Sequence, residues 1–230
     1  AGARAECVVV WATLDKSLGK AAIKSFVVEH GTPGMEITRL EHKLGIKASD
    51  TAAINFSNCR VPAANLLGTP EIDLKKGFAG VPLRDGIHRR GAVGVAAASI
   101  ERMKELLANH IDPNYGTPPL NTSHAEATLY RLEAEWEAAR LLTLKAAWMA
   151  DNKMPNSKDA SICKAKAGRV ANEVTLKCVE LAASLGYGED ELLEKWSRDS
   201  KILDIFEGTQ QIQQLIIARR VLGKSSAQLK

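Results

Sequence analysis

At Glu71 the hydrophobic period of this chain changes from two to between three and four, which restricts the fold to a sheet followed by helices. Before that point, residues 8–13 and Ile23–Glu29 are rich in β-branched and aromatic residues, while Met35–Leu40 and Ala52–Phe56 alternate apolar with polar. Turn residues at 15–20 predict a hairpin between the first two runs. Gly31-Thr-Pro-Gly34 predicts a tight turn without the Gly-Lys-Ser/Thr ending of a phosphate loop. Residues 43–50 read as a loop between strands, and Val61-Pro62 as the place where the chain leaves one antiparallel sheet.

Beyond Glu71 the apolar positions step by three and four. Ile87, Gly91, Gly94, Val95, Ala98, Met103 and Leu106 mark a first helix, in which Gly91 and Gly94 are expected to admit a close neighbour. Leu129, Leu132, Trp136, Ala139, Thr143, Ala146 and Ala150 form an amphipathic stripe on a second. A third covers residues 157–184, with Val170, Val174, Cys178 and Leu181 on one face, and helices over 190–205 and 210–222 complete the set. Breaks at Asp112-Pro-Asn-Tyr-Gly-Thr-Pro-Pro119 and Met154-Pro-Asn156 turn these into a bundle, so the fold class is α+β and mainly α.

Composition narrows the function by exclusion. With 230 residues, 45% of them hydrophobic, the chain can bury a sizeable core. The net charge of +4 is spread among acidic residues on helical faces, which leaves no nucleic-acid footprint. No apolar run approaches the ~20 residues a membrane span needs, and no signal peptide is visible. Cys7, Cys59, Cys163 and Cys178 lack any C-x-x-C spacing, so neither a metal site nor a disulfide framework is expected, only reduced thiols in an intracellular, cytoplasmic protein. The absence of a start methionine implies a fragment or a processed chain.

The stretch with the most chemistry is Phe206-Glu207-Gly208-Thr209, at the join between the last two helical patterns. Gly208 permits backbone angles that other residues resist, and Thr209 is a favoured N-cap. Two readings of Glu207 stand on the residues alone. A partly buried, desolvated Glu can serve as a general base near neutral pH, and an acidic residue is also simply favoured at a helix start. His88-Arg89-Arg90 likewise reads either as a phosphate contact or, more commonly, as a solvated or inter-subunit face. His88 has no partner acid or nucleophile at useful spacing.

The run Leu185-Gly-Tyr-Gly-Glu-Asp-Glu-Leu-Leu-Glu-Lys-Trp-Ser-Arg-Asp-Ser-Lys-Ile-Leu-Asp-Ile-Phe-Glu-Gly-Thr-Gln-Gln-Ile-Gln213 resembles the C-terminal signature of flavin-dependent acyl-CoA dehydrogenases, Arg-Asp followed by Tyr/Phe-Glu-Gly-Thr-x-x-Ile-Gln. Phe26-Val-Val-Glu-His-Gly-Thr-Pro-Gly34, Lys43-Leu-Gly-Ile-Lys-Ala-Ser49 and Cys59-Arg-Val-Pro-Ala-Ala-Asn-Leu-Leu-Gly68 resemble phrases of that family's middle β-domain, in the same order. The resemblance implies that residues 1–68 are the C-terminal part of that β-domain and residues 69–230 the up-and-down helical bundle that builds the family's tetramer. The family's Trp-Ile-Thr-Asn flavin element and N-terminal helical domain have no counterpart here, so the likeness covers roughly the latter 60% of a typical member.

What the resemblance implies for function is α,β-dehydrogenation of an acyl-CoA with FAD as cofactor, Glu207 as the base, and electrons passed to an electron-transferring flavoprotein. It implies flavin contacts at Thr209, Gln211, Tyr115 and Gly186, substrate contacts at Phe206 and Gly208, a homo- or hetero-oligomer, and a mitochondrial matrix location if the source is eukaryotic. Two flavin elements depart from the pattern. Asp112-Pro-Asn-Tyr-Gly116 stands where the family has Arg-x-Thr-Phe-Gly, and Glu180-Leu-Ala-Ala-Ser-Leu-Gly186 stands for Gln-x-x-Gly-Gly-x-Gly. The family's Asp-x-x-Arg element is not restored by Arg84 and Asp85 in any register. The expectation is a subunit that supplies the base and part of one flavin site while a related partner supplies the rest. A non-catalytic structural subunit and an acyl-CoA oxidase relative are the alternatives.

Overall fold

The computed structural model describes residues 2–71, 87–117, 122–225 and 228. The side chains of His88, Arg89 and Arg90, and the Arg84/Asp85 pair, lie outside the described residues. The chain divides into two compact units, one spanning Ala1–Lys43 and Lys47–Arg84, the other Leu44–Ile46 and Asp85–Lys230.

The first unit is antiparallel. Strands β1 (Cys7–Thr13) and β2 (Ile23–Glu29) pair in continuous register from Cys7 opposite Glu29 to Thr13 opposite Ile23. β3 (Met35–Leu40) and β4 (Ala52–Phe56) pair separately, with an irregularity between Ile37 and Arg39. The sequence reading of one sheet is thereby corrected to two among the described residues. Val61-Pro62 does not take the chain out for good either. A short 3₁₀ turn, Ala63–Asn65, follows, and Asn65 donates its side-chain amide to Val27 O at 3.0 Å. This returns Leu66–Leu67 (β5) to pair with Ser25 and Phe26 of β2. Lys24, almost fully buried, is accommodated because its ammonium donates to the carbonyls of Thr69 and Glu71.

The helical unit is built around α3 (Ser157–Tyr187), against which α1 (Ile87–Leu106), α2 (His124–Asp151), α4 (Leu193–Ser200) and α5 (Gln210–Leu222) all pack. Its core draws Ala96, Ile100 and Met103 from α1, Leu129, Leu132 and Ala139 from α2, and Ala167, Val174 and Cys178 from α3. Burial pushes the Cys178 thiol up to about 12, as expected of a thiol that only fills space. α2 opens with Ser123 as N-cap, its hydroxyl accepting from the Glu126 amide at 3.1 Å.

Three boundaries differ from the sequence reading. α1 runs on into a π-turn, Leu107–Ile111, which lets both Leu106 and Leu107 face the core. The pattern over residues 190–205 is not one helix, because Leu192 adopts φ 60° before α4 and a 3₁₀ segment, Lys201–Asp204, follows it. Among the described residues, Gly91 and Gly94 do not serve close approach. A Cβ on Gly91 would meet only a leucine methyl at 3.8 Å, and one on Gly94 nothing within 4 Å. A closer approach is at Gly168, where a Cβ would meet Leu203 O and Asp204 Oδ1 at 3.0 Å.

Leu44–Ile46 is held by α4 through the Arg-Asp pair of the signature. Arg198 Nη1 donates to Leu44 O at 3.1 Å, and Asp199 Oδ1 accepts from the Ile46 amide at 2.5 Å. Ile46 needs that support, since a β-branched residue at φ 48° is strained. Burial works to raise the Asp199 carboxyl, but the Lys195 ammonium and the Ile46 amide outweigh it and hold it below the ordinary carboxylate range. Asp199→Ala is expected to lower stability by about 2 kcal/mol at pH 7, read by urea denaturation. A carboxyl depressed in the folded state stabilises fully above its unfolded value of about 3.9, and that contribution is lost as pH falls through the lower folded value. The gap between wild type and variant should therefore close in acid and stay constant from pH 6 to 8 within about 0.5 kcal/mol.

Candidate active site

The turn between the 3₁₀ segment and α5 is tied at both ends. On entry, the amides of Ile205 and Phe206 both donate to Ile202 O at 2.9 Å. The backbone then passes through two left-handed residues, Glu207 at φ 55° and Gly208 at φ 97°, before Thr209 returns to an extended conformation and caps α5. The Thr209 hydroxyl accepts from the Ile212 amide at 3.5 Å, as its residue type predicts. On exit, the buried side chain of Gln210 donates to Ala165 O on α3 at 2.6 Å and to the Asp204 carboxylate. Phe206 and Gly208 are half-buried, while Glu207 and Gln211 are exposed. The adjoining N-terminus of α5 contributes partial positive charge beside the Glu207 carboxylate.

The other expected site residues lie at the opposite end of the bundle. Gly91, near the start of α1, has Leu203 beside it, whereas Arg102, near its end, pairs with Glu191 just beyond α3. The turn of Glu207 thus sits at the end where α1 and α3 begin, and Tyr115 and Gly186 at the end where they finish. From Ala165, where Gln210 is anchored, to Gly186 is roughly 30 Å along the helix. Phe206, Glu207, Gly208, Thr209 and Gln211 come together on one chain, and Tyr115 and Gly186 do not join them.

At that far end the chemistry is acidic. Tyr115 sits half-buried on the loop after α1, and burial lifts its phenol above the ordinary range. Glu126 is buried beneath the loop, accepting from the Gly116 amide at 3.1 Å and from the Tyr130 hydroxyl at 2.6 Å. That bond to a carboxylate pushes Tyr130 up to about 12. Glu126 Oε2, Asp112 Oδ2 and Thr117 Oγ1 are all buried without a hydrogen-bond partner among the described residues. Lys104, whose charge reaches Tyr115, is paired with Glu133 at 2.6 Å. Near the end of α3, Ala183 breaks the helix with φ 50° and ψ −122°, a conformation suited to glycine. Gly186 is packed so tightly that a Cβ would meet Ala182 and Val179 at 2.8 Å.

Gln210 and Gln213 are the site residues that sequence reasoning assigned no role. The available signal was two amides spaced i, i+3 on the first turn of a helix, where a side chain is expected either to face solvent or to seek buried backbone.

Fold and site together define a helical-bundle domain with a carboxylate carried on the entry turn of its last helix. The profile of the acyl-CoA dehydrogenase C-terminal domain matches residues 87–222. The mitochondrial short-chain specific acyl-CoA dehydrogenase of Rattus norvegicus is 34% identical over 219 residues, 95% of this chain and 52% of that protein. The acryloyl-CoA reductase (NADH) of Anaerotignum propionicum is 34% identical over 224 residues, 97% of this chain and 56% of that one. The solved butyryl-CoA dehydrogenase from Megasphaera elsdenii superposes with a TM-score of 0.81 at 30% identity, covering 96% of this chain and 57% of its own. The chain belongs to the acyl-CoA dehydrogenase family, and it spans about half the length of the curated relatives it matches.

Ala183 supplies a direct check on the strained helix end. An alanine at such angles costs ~1–3 kcal/mol, part of which glycine returns through its freer unfolded chain. Ala183→Gly is expected to stabilise the protein by about 1 kcal/mol, seen as a higher urea midpoint at unchanged m-value.

Proposed function

We propose that this chain is part of an acyl-CoA dehydrogenase that uses Glu207 to take the α-proton of an acyl thioester of coenzyme A. The observation that carries the reading is the rigid turn of Phe206-Glu207-Gly208-Thr209. It sets a carboxylate on two consecutive left-handed residues beside a capped helix start. Glu207 accepts the proton as the α-carbon–hydrogen bond breaks, and its backbone amide is the donor for the negative charge that develops on the thioester oxygen. Phe206 and Gly208 line the acyl side of the turn. A bound flavin supplies the acceptor for the hydride that leaves the β-carbon as the double bond forms, and an electron-transferring flavoprotein takes the electrons onward.

The residues present fit FAD at one end of the bundle and not at the other. Thr209 and Gln211, with the capped start of α5, present hydroxyl, amide and helix-terminal donors to a flavin. The loop at Asp112 and Glu126 offers buried acceptors and no unpaired cation among the described residues, which repels a pyrophosphate. Because the two ends are about a helix length apart, a flavin held at the Glu207 turn and one held near Tyr115 belong to different places in an assembly. This favours a second, related subunit that contributes the cation and glycines lacking here. It also keeps open the reading that this chain is a structural subunit.

Glu207→Gln in the full-length protein, purified with its native partners, separates these readings. The expected result is a loss of ~10²-fold or more in kcat for acyl-CoA-dependent dye reduction, with flavin content by absorbance unchanged. Full activity in that variant would overturn the base assignment in favour of the structural subunit.

A further inference from the structure

We infer that Gln213 is the positioning residue for Glu207, setting the direction of its carboxylate through the backbone of the turn. The inference rests on the reading of Glu207 as base. Glu207 is not glycine, yet it holds φ 55°, and the next residue continues left-handed at φ 97°. An isolated non-glycine residue in that region costs ~1–3 kcal/mol and persists only when its surroundings over-determine it. Gln213 is the surrounding group that does so. It lies one helical turn into α5, is 7% exposed, and its Nε2 donates to Glu207 O at 3.3 Å and to Gly208 O at 3.4 Å. Both hydrogens of the amide are thereby used on the two residues of unusual backbone. The same nitrogen would stand 2.5 Å from a Cβ at position 208, so only glycine allows the amide to reach both carbonyls.

Gln213 is itself fixed. Its backbone amide donates to Thr209 O at 3.0 Å, and the first turn of α5 is moored to α3 by the bond from Gln210 to Ala165 O. Rotation of the Glu207 backbone toward an ordinary helical or extended conformation would break the contacts to Gln213 and swing the carboxylate away. Proton abstraction is sensitive to such a swing, since a displacement of ~1 Å can cost on the order of 10²-fold in rate.

The test uses the full-length, flavin-loaded enzyme with its partners. Gln213→Met keeps the length of the side chain and removes the donor, and Gln213→Glu keeps the volume. The expected result is a kcat lower by ~10- to 100-fold with KM within about twofold of wild type. The primary isotope effect on an α-deuterated acyl-CoA should be larger, because proton removal becomes the slow step. A purely structural role would lower the active fraction and leave the isotope effect unchanged, and that result overturns the inference, as does failure of both variants to fold. Glu207→Gln keeps the two proposals apart. If it is inactive while Gln213→Met is unimpaired, only the positioning role falls. If Glu207→Gln is active, the base assignment falls first.

Discussion

The contact on which the described helical unit depends is the packing of Leu203 and Asp204 onto the bare backbone of α3 at Gly168. A side chain there would press on the 3₁₀ segment, since a Cβ would already stand 3.0 Å from Leu203 O and Asp204 Oδ1. With the segment seated, the Asp204 carboxylate is placed to receive Gln210, and Gln210 in turn reaches Ala165 O on α3. Between these anchors the chain turns through Glu207 and Gly208, and of the two only Glu207, which is not glycine, is strained by its left-handed backbone. A second tie, Thr175 Oγ1 to Ser200 Oγ at 2.9 Å, both buried, keeps the end of α4 against the same helix. α3 is thus the surface against which the site is built, although it contributes no reacting group.

The two ends of the bundle differ in chemistry as well as position. One end presents a carboxylate on a capped helix start, in a setting of helix-terminal amides. The other gathers Asp112, Glu126 and two tyrosines around buried acceptors, with its lysine committed to Glu133. At that second end Ala183 also holds glycine-like angles.

Much of the architecture was legible because it rests on local pattern. Ile23–Glu29, Met35–Leu40 and Ala52–Phe56 were bounded by β-branched alternation and turn residues, and these elements appear with those limits. The stripe on α2 was legible for the same reason, with Leu129, Leu132, Ala139 and Ala146 buried as its spacing requires and only Ala150 at its end exposed. What failed were places where a distant partner overrides local preference. β5 exists because Asn65 finds Val27 O, the π-turn because two consecutive leucines both find the core, and Leu192 breaks a helix whose composition favours continuing it. Gly91 and Gly94 read as admitting a close neighbour, but among the described residues Gly168 is approached more closely than either, since a glycine shows what it permits and not what comes near it.

For Glu207 the division is sharp. The sequence by itself determined its identity, its place before a threonine cap, and its family context, because motif and capping chemistry are encoded in neighbouring residues. Only the tertiary structure decided that its backbone is left-handed, that its side chain is exposed on this chain, and that Gln213 and Gln210 hold the turn from within α5. These depend on donors meeting carbonyls across folded elements, and no spacing along the chain specifies where a buried amide will find its acceptors.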